Sequence, residues 1–165
     1  MSRQRLIGEQ RRALFFAWLP AAIGVLVICL ESSDYLSAAN TRALLEHLLV
    51  SFGWATHPNL SSANHVLRKT GHFSGYGTLG LLFYRGRRLS GQILSIRRPR
   101  LADAAFSLVC TLVVASADEY HQSFLPSRTG RPQDVLLDTA GAALFLLLLQ
   151  LWLWLRRRAS PLPDA

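Results

Sequence analysis

The sequence predicts an all-α, polytopic membrane protein: four transmembrane helices, one further helix on the outer face, and both termini in the cytoplasm. Three observations predict it. Apolar residues come in long blocks rather than at the helix or strand period of a soluble domain, in a chain that is 50% hydrophobic. Basic residues gather in alternate connecting segments. Ionisable residues at membrane depth gather at one set of helix ends. A chain of 165 residues holds one compact unit, expected over residues 1–158, with a frayed tail over 159–165.

The first span is expected at 12–31, because Ala13–Leu30 carries no charge and a hydrocarbon core needs about 20 apolar residues in a helix. A cleaved secretory signal is the competing reading. Against it, the run is long and ends in Leu30-Glu31-Ser32-Ser33 without a small-x-small site. Next, Leu44, Leu45, Leu48, Leu49 and Phe52 recur at helical spacing, with Asn40 placed to cap the start. That stretch is too short and mixed to cross, so it is expected on the outer leaflet or over the mouth of the bundle. The second span, 65–85, combines the apolar block Phe73–Tyr84 with polar first turns. Its Gly71, Gly75, Gly77 and Gly80 would let neighbouring backbones come close. Gly86–Arg100 reads as a basic loop hugging the membrane surface. The third span, 101–121, has one charge, Asp103, in Leu101–Ala117. The fourth, 135–155, has one, Asp138, in Val135–Leu155. Cys29 and Cys110 read as unpaired, buried apolar thiols.

Charge sets the orientation. Arg3, Arg5, Arg11 and Arg12 precede the first span, six arginines lie between the second and third, and Arg156, Arg157 and Arg158 follow the fourth. Only Arg42, Arg68, Lys69, Arg128 and Arg131 remain for the other side. Basic residues near spans stay cytoplasmic, so the termini are expected inside. The net charge of +8 then reflects topology and a grip on anionic lipid; nothing else resembles a nucleic-acid binder.

In this orientation all five histidines lie outside, and so does the only lysine, Lys69. Arg68, His72 and Tyr76 recur at steps of four on the second span, with His65 one turn earlier. Asp118, His121 and Gln122 share a face of the third span, and Asp134 and Asp138 a face of the fourth. Ionisable groups within spans are costly and tend to face the bundle interior, so the expectation is a polar pocket opening outward between the second, third and fourth spans. His57 and His65 are expected in exposed loops.

These residues resemble the VanZ-like membrane proteins. The resemblance rests on "RKTGHFSGYGTLGLLFYR" and "DEYHQSFLPSRTGRPQDVLLDTAG". In them Lys69 and His72 match a lysine-x-x-histidine at the start of one span, and Glu119, Gln122, Pro126, Arg128, Asp134, Asp138 and Gly141 match a second block. Glu31-Ser32-Ser33 matches the polar turn after the first span. Asp138 is a departure, since many relatives carry Asn there. The resemblance covers about Ala13 to Leu155 and implies a four-span fold in the cytoplasmic membrane of a bacterium. It also implies envelope biology, since the family is named for a protein that lowers susceptibility to teicoplanin. It supplies no reaction.

Three readings of the polar cluster stay open. In the first, Arg68, Lys69, Gln122, Arg128 and Arg131 hold the phosphate of an anionic phospholipid or an undecaprenyl-linked precursor, with Tyr76, Asp118, His121 and Asp138 supporting the pocket. In the second, the site performs phosphoester chemistry, with His72, Glu119 and Asp134 as catalytic candidates. There His72 is the general acid/base, Asp134 a nucleophile or the group orienting a base, and Arg128 the stabiliser of phosphoryl charge. The motif Ser-Arg-x5-Asp-x3-Asp from Ser127 to Asp138 is a partial likeness to lipid phosphatases, with Asp134 where their nucleophilic histidine stands. In the third, acids and bases pair and staple the helix ends. No cofactor is required: the spacing matches no metal signature, and the nearby bases would repel a divalent cation. A transport path through one copy is not expected, because the inner halves of the spans are nearly free of polar groups beyond Asp103; a homo-oligomer could build one.

Overall fold

The computed structural model describes residues 3–33, 38–52, 60–126 and 128–159. Among them the regular structure is helical: α1 (Arg3–Glu31), α2 (Ala38–Ser51), α3 (Leu60–Ile93), α4 (Arg100–Gln122) and α5 (Pro132–Ala159). The expected site of His57, and the tail from Ser160 onward, lie outside the described residues.

Residues Gln4–Glu31, Arg100–Gln122 and Pro132–Ala159 are long and apolar enough to cross a membrane, with mean hydropathies of 2.5, 1.6 and 1.9. α3 is longer but carries too many polar residues to qualify by composition. It is nonetheless the central helix, packed against α1, α2, α4 and α5. The bundle is apolar outside: Phe15, Leu101, Leu136 and Leu147 are all more than half exposed. Its interior mixes small residues, with Ala17, Ala21, Ala115, Ala142, Ser107 and Thr111 buried, and a few large ones, among them Ile28, Tyr76, Leu79 and Leu146. Burial of apolar surface against water cannot hold such helices together, so packing must.

Small residues make that packing close. A Cβ on Gly77 would lie 2.8 Å from the Phe145 ring, and one on Gly141 would collide with the Phe73 carbonyl. Gly80 faces Ala142, with 3.1 Å between its would-be Cβ and the alanine's. Gly71 and Gly75, expected to share this role, have nothing within 4 Å.

At one end of the bundle the helices are fastened together. Asp103, in the first turn of α4 and 1% exposed, accepts a hydrogen bond from Arg88 Nη1 at 2.9 Å and lies 3.7 Å from Arg87 Nε. Trp18 Nε1 donates to Ser90 Oγ at 2.8 Å. Arg85 Nη1 donates to the Ala17 carbonyl at 3.2 Å, next to the carbonyl whose helical partner Pro20 removes. These contacts correct the loop expected over Gly86–Arg100: α3 continues to Ile93 because its arginines are good helix formers and find partners on α1 and α4. The helix then ends in a Schellman turn, with Ser95 at φ 55° and Ile96 N–H bonded to the Gly91 carbonyl at 2.8 Å.

The helix expected after the first span is present as α2, but it begins at Ala38, so Asn40 lies inside its first turn and not at its cap. The thiols of Cys29 and Cys110 are free, and neither is fully buried as expected: Cys110 is half-buried, and Cys29 is exposed because it sits on the outer face of α1.

Candidate functional site

At the opposite end, α3, α4, α5 and the α4–α5 connection surround a cavity of about 220 Å³. Helix period supplies its walls. His65, Arg68, Lys69 and His72 line it from α3, where steps of three and four form one stripe. Glu119 and Gln122 line it from the last turn of α4, and Asp134, Leu137 and Asp138 from α5. Pro132, whose missing N–H suits a first helical position, starts α5. Arg128, Thr129 and Arg131 close it from the connection. That connection is drawn tightly over α4: a Cβ on Gly130 would strike the Glu119 carbonyl, and the Arg131 N–H donates to Glu119 Oε2 at 2.7 Å.

The charged groups are arranged unequally. Lys69 Nζ donates to Asp134 Oδ1, joining α3 to α5. Arg128 Nη2 donates to the carbonyls of Glu31 at 2.7 Å and Ser33 at 3.0 Å, which ties the connection to the end of α1. Arg68 Nη1 reaches Thr41 Oγ1 on α2 at 3.5 Å. Asp138 is fully buried, and neither carboxylate oxygen has a hydrogen-bond partner among the described residues. Its nearest base is His72, whose Nδ1 is 3.6 Å from Oδ2 and whose ring stacks on Tyr76.

Behind the cavity lies a second polar group. Asp118 Oδ2 accepts from Ser32 Oγ at 2.8 Å, from Gln122 Nε2 at 2.9 Å and from Tyr76 Oη at 3.0 Å. Gln122 Nε2 also reaches Ser32 Oγ at 3.1 Å. All four side chains are buried, and the knot joins α1, α3 and α4. Charge-assisted bonds of this kind are about twice as strong as neutral ones.

The expected site residues therefore divide. Arg68, Lys69, His72, Glu119, Gln122, Arg128, Arg131, Asp134 and Asp138 line one cavity. Tyr76 and Asp118 belong to the knot behind it. His121 belongs to neither: it is exposed on the outer side of α4. Spacing misplaced it because the buried face runs through Ala115, Asp118, Glu119 and Gln122, which leaves position 121 more than a quarter turn away. His65, expected in a loop, sits on α3 and lines the cavity because α3 starts earlier than the second span was expected to. Ser32, Thr129 and Leu137 were not singled out individually. Only Ser32 carried a signal, the Glu31-Ser32-Ser33 turn after an apolar run.

The model of the VanZ/LLP1 family matches residues 15–153. The chain belongs to the VanZ/LLP1 family. No curated protein and no solved structure matches it. The VanZ/LLP1 match spans α1 to α5, and so takes in the fastened end, the knot and the cavity together.

Proposed function

We propose that this VanZ/LLP1 protein is a four-span protein of the bacterial inner membrane, termini inside, whose outward-facing cavity binds an anionic phospholipid or a lipid-linked envelope precursor. The fourth span is α3. Its central position between three apolar helices supports this, and the exposed hydroxyls of Ser74 and Thr78 are satisfied by carbonyls of their own helix. The distribution of arginines supports the orientation. The observation that carries the ligand reading is the convergence of Arg68, Lys69, Arg128 and Arg131 on one cavity at a helix-bundle end, where a phosphate at headgroup level has its tail in lipid. Arginine and lysine hold phosphate by charge-assisted hydrogen bonds.

The test is lipid recovery. The full chain and its Arg68→Ala and Lys69→Ala variants are purified from bacterial membranes, and bound lipid is identified by mass spectrometry. Wild type is expected to carry a lipid phosphate, and each folded variant about tenfold less. Equal recovery from all three overturns the reading.

His72 beside buried Asp138 supports a second reading, phosphoester hydrolysis with His72 as general acid/base. The pairing of Asp134 with Lys69, and of Arg128 with backbone carbonyls, weighs against their expected catalytic roles. Phosphate release from lipid phosphates that is lost in His72→Ala would favour hydrolysis over binding.

A further inference from the structure

A second cavity, of about 290 Å³, adjoins the first. His65 and Arg68 belong to the walls of both. The remaining walls of the second are Ala39 and Arg42 from α2 and Ser61 and Asn64 from α3. The two differ in charge. The first holds three carboxylates, Glu119, Asp134 and Asp138, against four arginine and lysine side chains and two histidines. Among the described residues the second holds none, and its cations are Arg42 and the shared Arg68.

An anion in the first cavity would share its cations with those carboxylates, two of which are already engaged by Lys69 and the Arg131 N–H. Against the shared wall it would meet Arg42 and Arg68. The deep end has the opposite need. Asp134 is engaged by Lys69 and Glu119 by the Arg131 N–H. Asp138 is fully buried and neither oxygen is hydrogen-bonded among the described residues, His72 Nδ1 standing 3.6 Å from Oδ2, and a buried acceptor without a hydrogen bond is costly. It asks for a donor that the ligand brings.

We propose that the two cavities take one phosphate ester whose headgroup donates hydrogen bonds. The phosphate lies against Arg42 and Arg68, and an amine or hydroxyl reaches toward Asp138. Arg68 and His72, the neighbour of Asp138, lie four residues apart on α3, about 6 Å along its axis, the order of length of a headgroup with a two- or three-carbon spacer. This inference rests on the reading of the first cavity as a lipid-phosphate site.

The test uses the full chain in detergent, titrated with dioctanoyl phosphatidylethanolamine, phosphatidylglycerol, phosphatidylcholine and phosphatidic acid. Choline matches ethanolamine in charge but has no donor. The ethanolamine or glycerol lipid is expected to bind about tenfold tighter than the choline lipid; whichever of the two is tighter assigns the donor as amine or hydroxyl. Arg42→Gln, a change at an exposed position, is expected to weaken the tighter lipid severalfold, and Asp138→Asn to bring the ethanolamine-to-choline ratio toward one. Should Asp138→Asn fail to fold, the headgroup series on wild type and Arg42→Gln decide. Choline or phosphatidic acid binding as tightly as the donor lipids, or an unchanged Arg42→Gln, overturns the inference while leaving the lipid-phosphate reading in place. Failure of all four lipids to bind wild type overturns both.

Discussion

Asp118 and Asp138 look alike in the sequence, each an acid at the edge of an apolar run with a second acid nearby, yet their surroundings are opposite. Three donors converge on Asp118 Oδ2, whereas Asp138 has a histidine at 3.6 Å and no hydrogen bond among the described residues. The first is therefore a joint and the second an unmet acceptor. Removing one donor from the joint gives a measurable loss. Tyr76→Phe is expected to lower stability by about 1.5–3 kcal/mol, the range for hydrogen bonds to charged groups, read as unfolding of the purified protein in detergent. It should leave lipid recovery unchanged, because Tyr76 lies outside the cavity. The pairing of Asp118 with Gln122 was legible, since four residues along a helix bring side chains together. Ser32 as their partner was not, because 86 residues separate it from Asp118 and no local spacing encodes such a contact. His121 shows the converse failure: a helical face has two edges, and spacing alone does not say which one turns inward.

Among the helices, contact distance is set by glycines at particular positions. Gly141→Ala would press a methyl into the Phe73 carbonyl, and Gly77→Ala would press one into the Phe145 ring. Overpacking of this kind costs about 1–3 kcal/mol. Gly71→Ala meets open space, and the gain in helix propensity makes it neutral or stabilising by up to about 1 kcal/mol. Measuring the three variants by the same unfolding assay checks the order Gly71→Ala above wild type or equal to it, with the other two below. The glycines of α3 were visible as a set, but which of them touch α5 depends on helix rotation, fixed by partners far away in the chain. The same holds for the end of α3. Arg85, Arg87 and Arg88 read as the beginning of a loop because charge ordinarily marks the end of a span. They remain helical because Ala17, Phe106 and Asp103 receive them: Arg87 also stacks over the Phe106 ring at 4.4 Å.

For the whole molecule, composition carried most of the architecture. Blocks of apolar residues located α1, α4 and α5, and the all-helical bundle follows from the rule that backbone polar groups in hydrocarbon must be satisfied within the segment. α3 was harder to read because its apolar block is short and broken by Ser74, Thr78 and glycines, while its buried positions, such as Tyr76, Leu79 and Tyr84, are set by neighbours far away in the chain. Its orientation is testable directly. A reporter active only outside the cytoplasm is expected to work when fused after Gly130 and to fail when fused after Ile96; the reverse pattern would invert the bundle. The knot at Asp118 has a mechanical corollary. It joins α1, α3 and α4 and includes no side chain of α5. The start of α5 is held to α3 instead by the bridge from Lys69 to Asp134, and further along by the seat of Gly141 on Phe73. Loss of the Lys69–Asp134 bridge would therefore loosen the start of α5 and leave the joint of the other three helices standing.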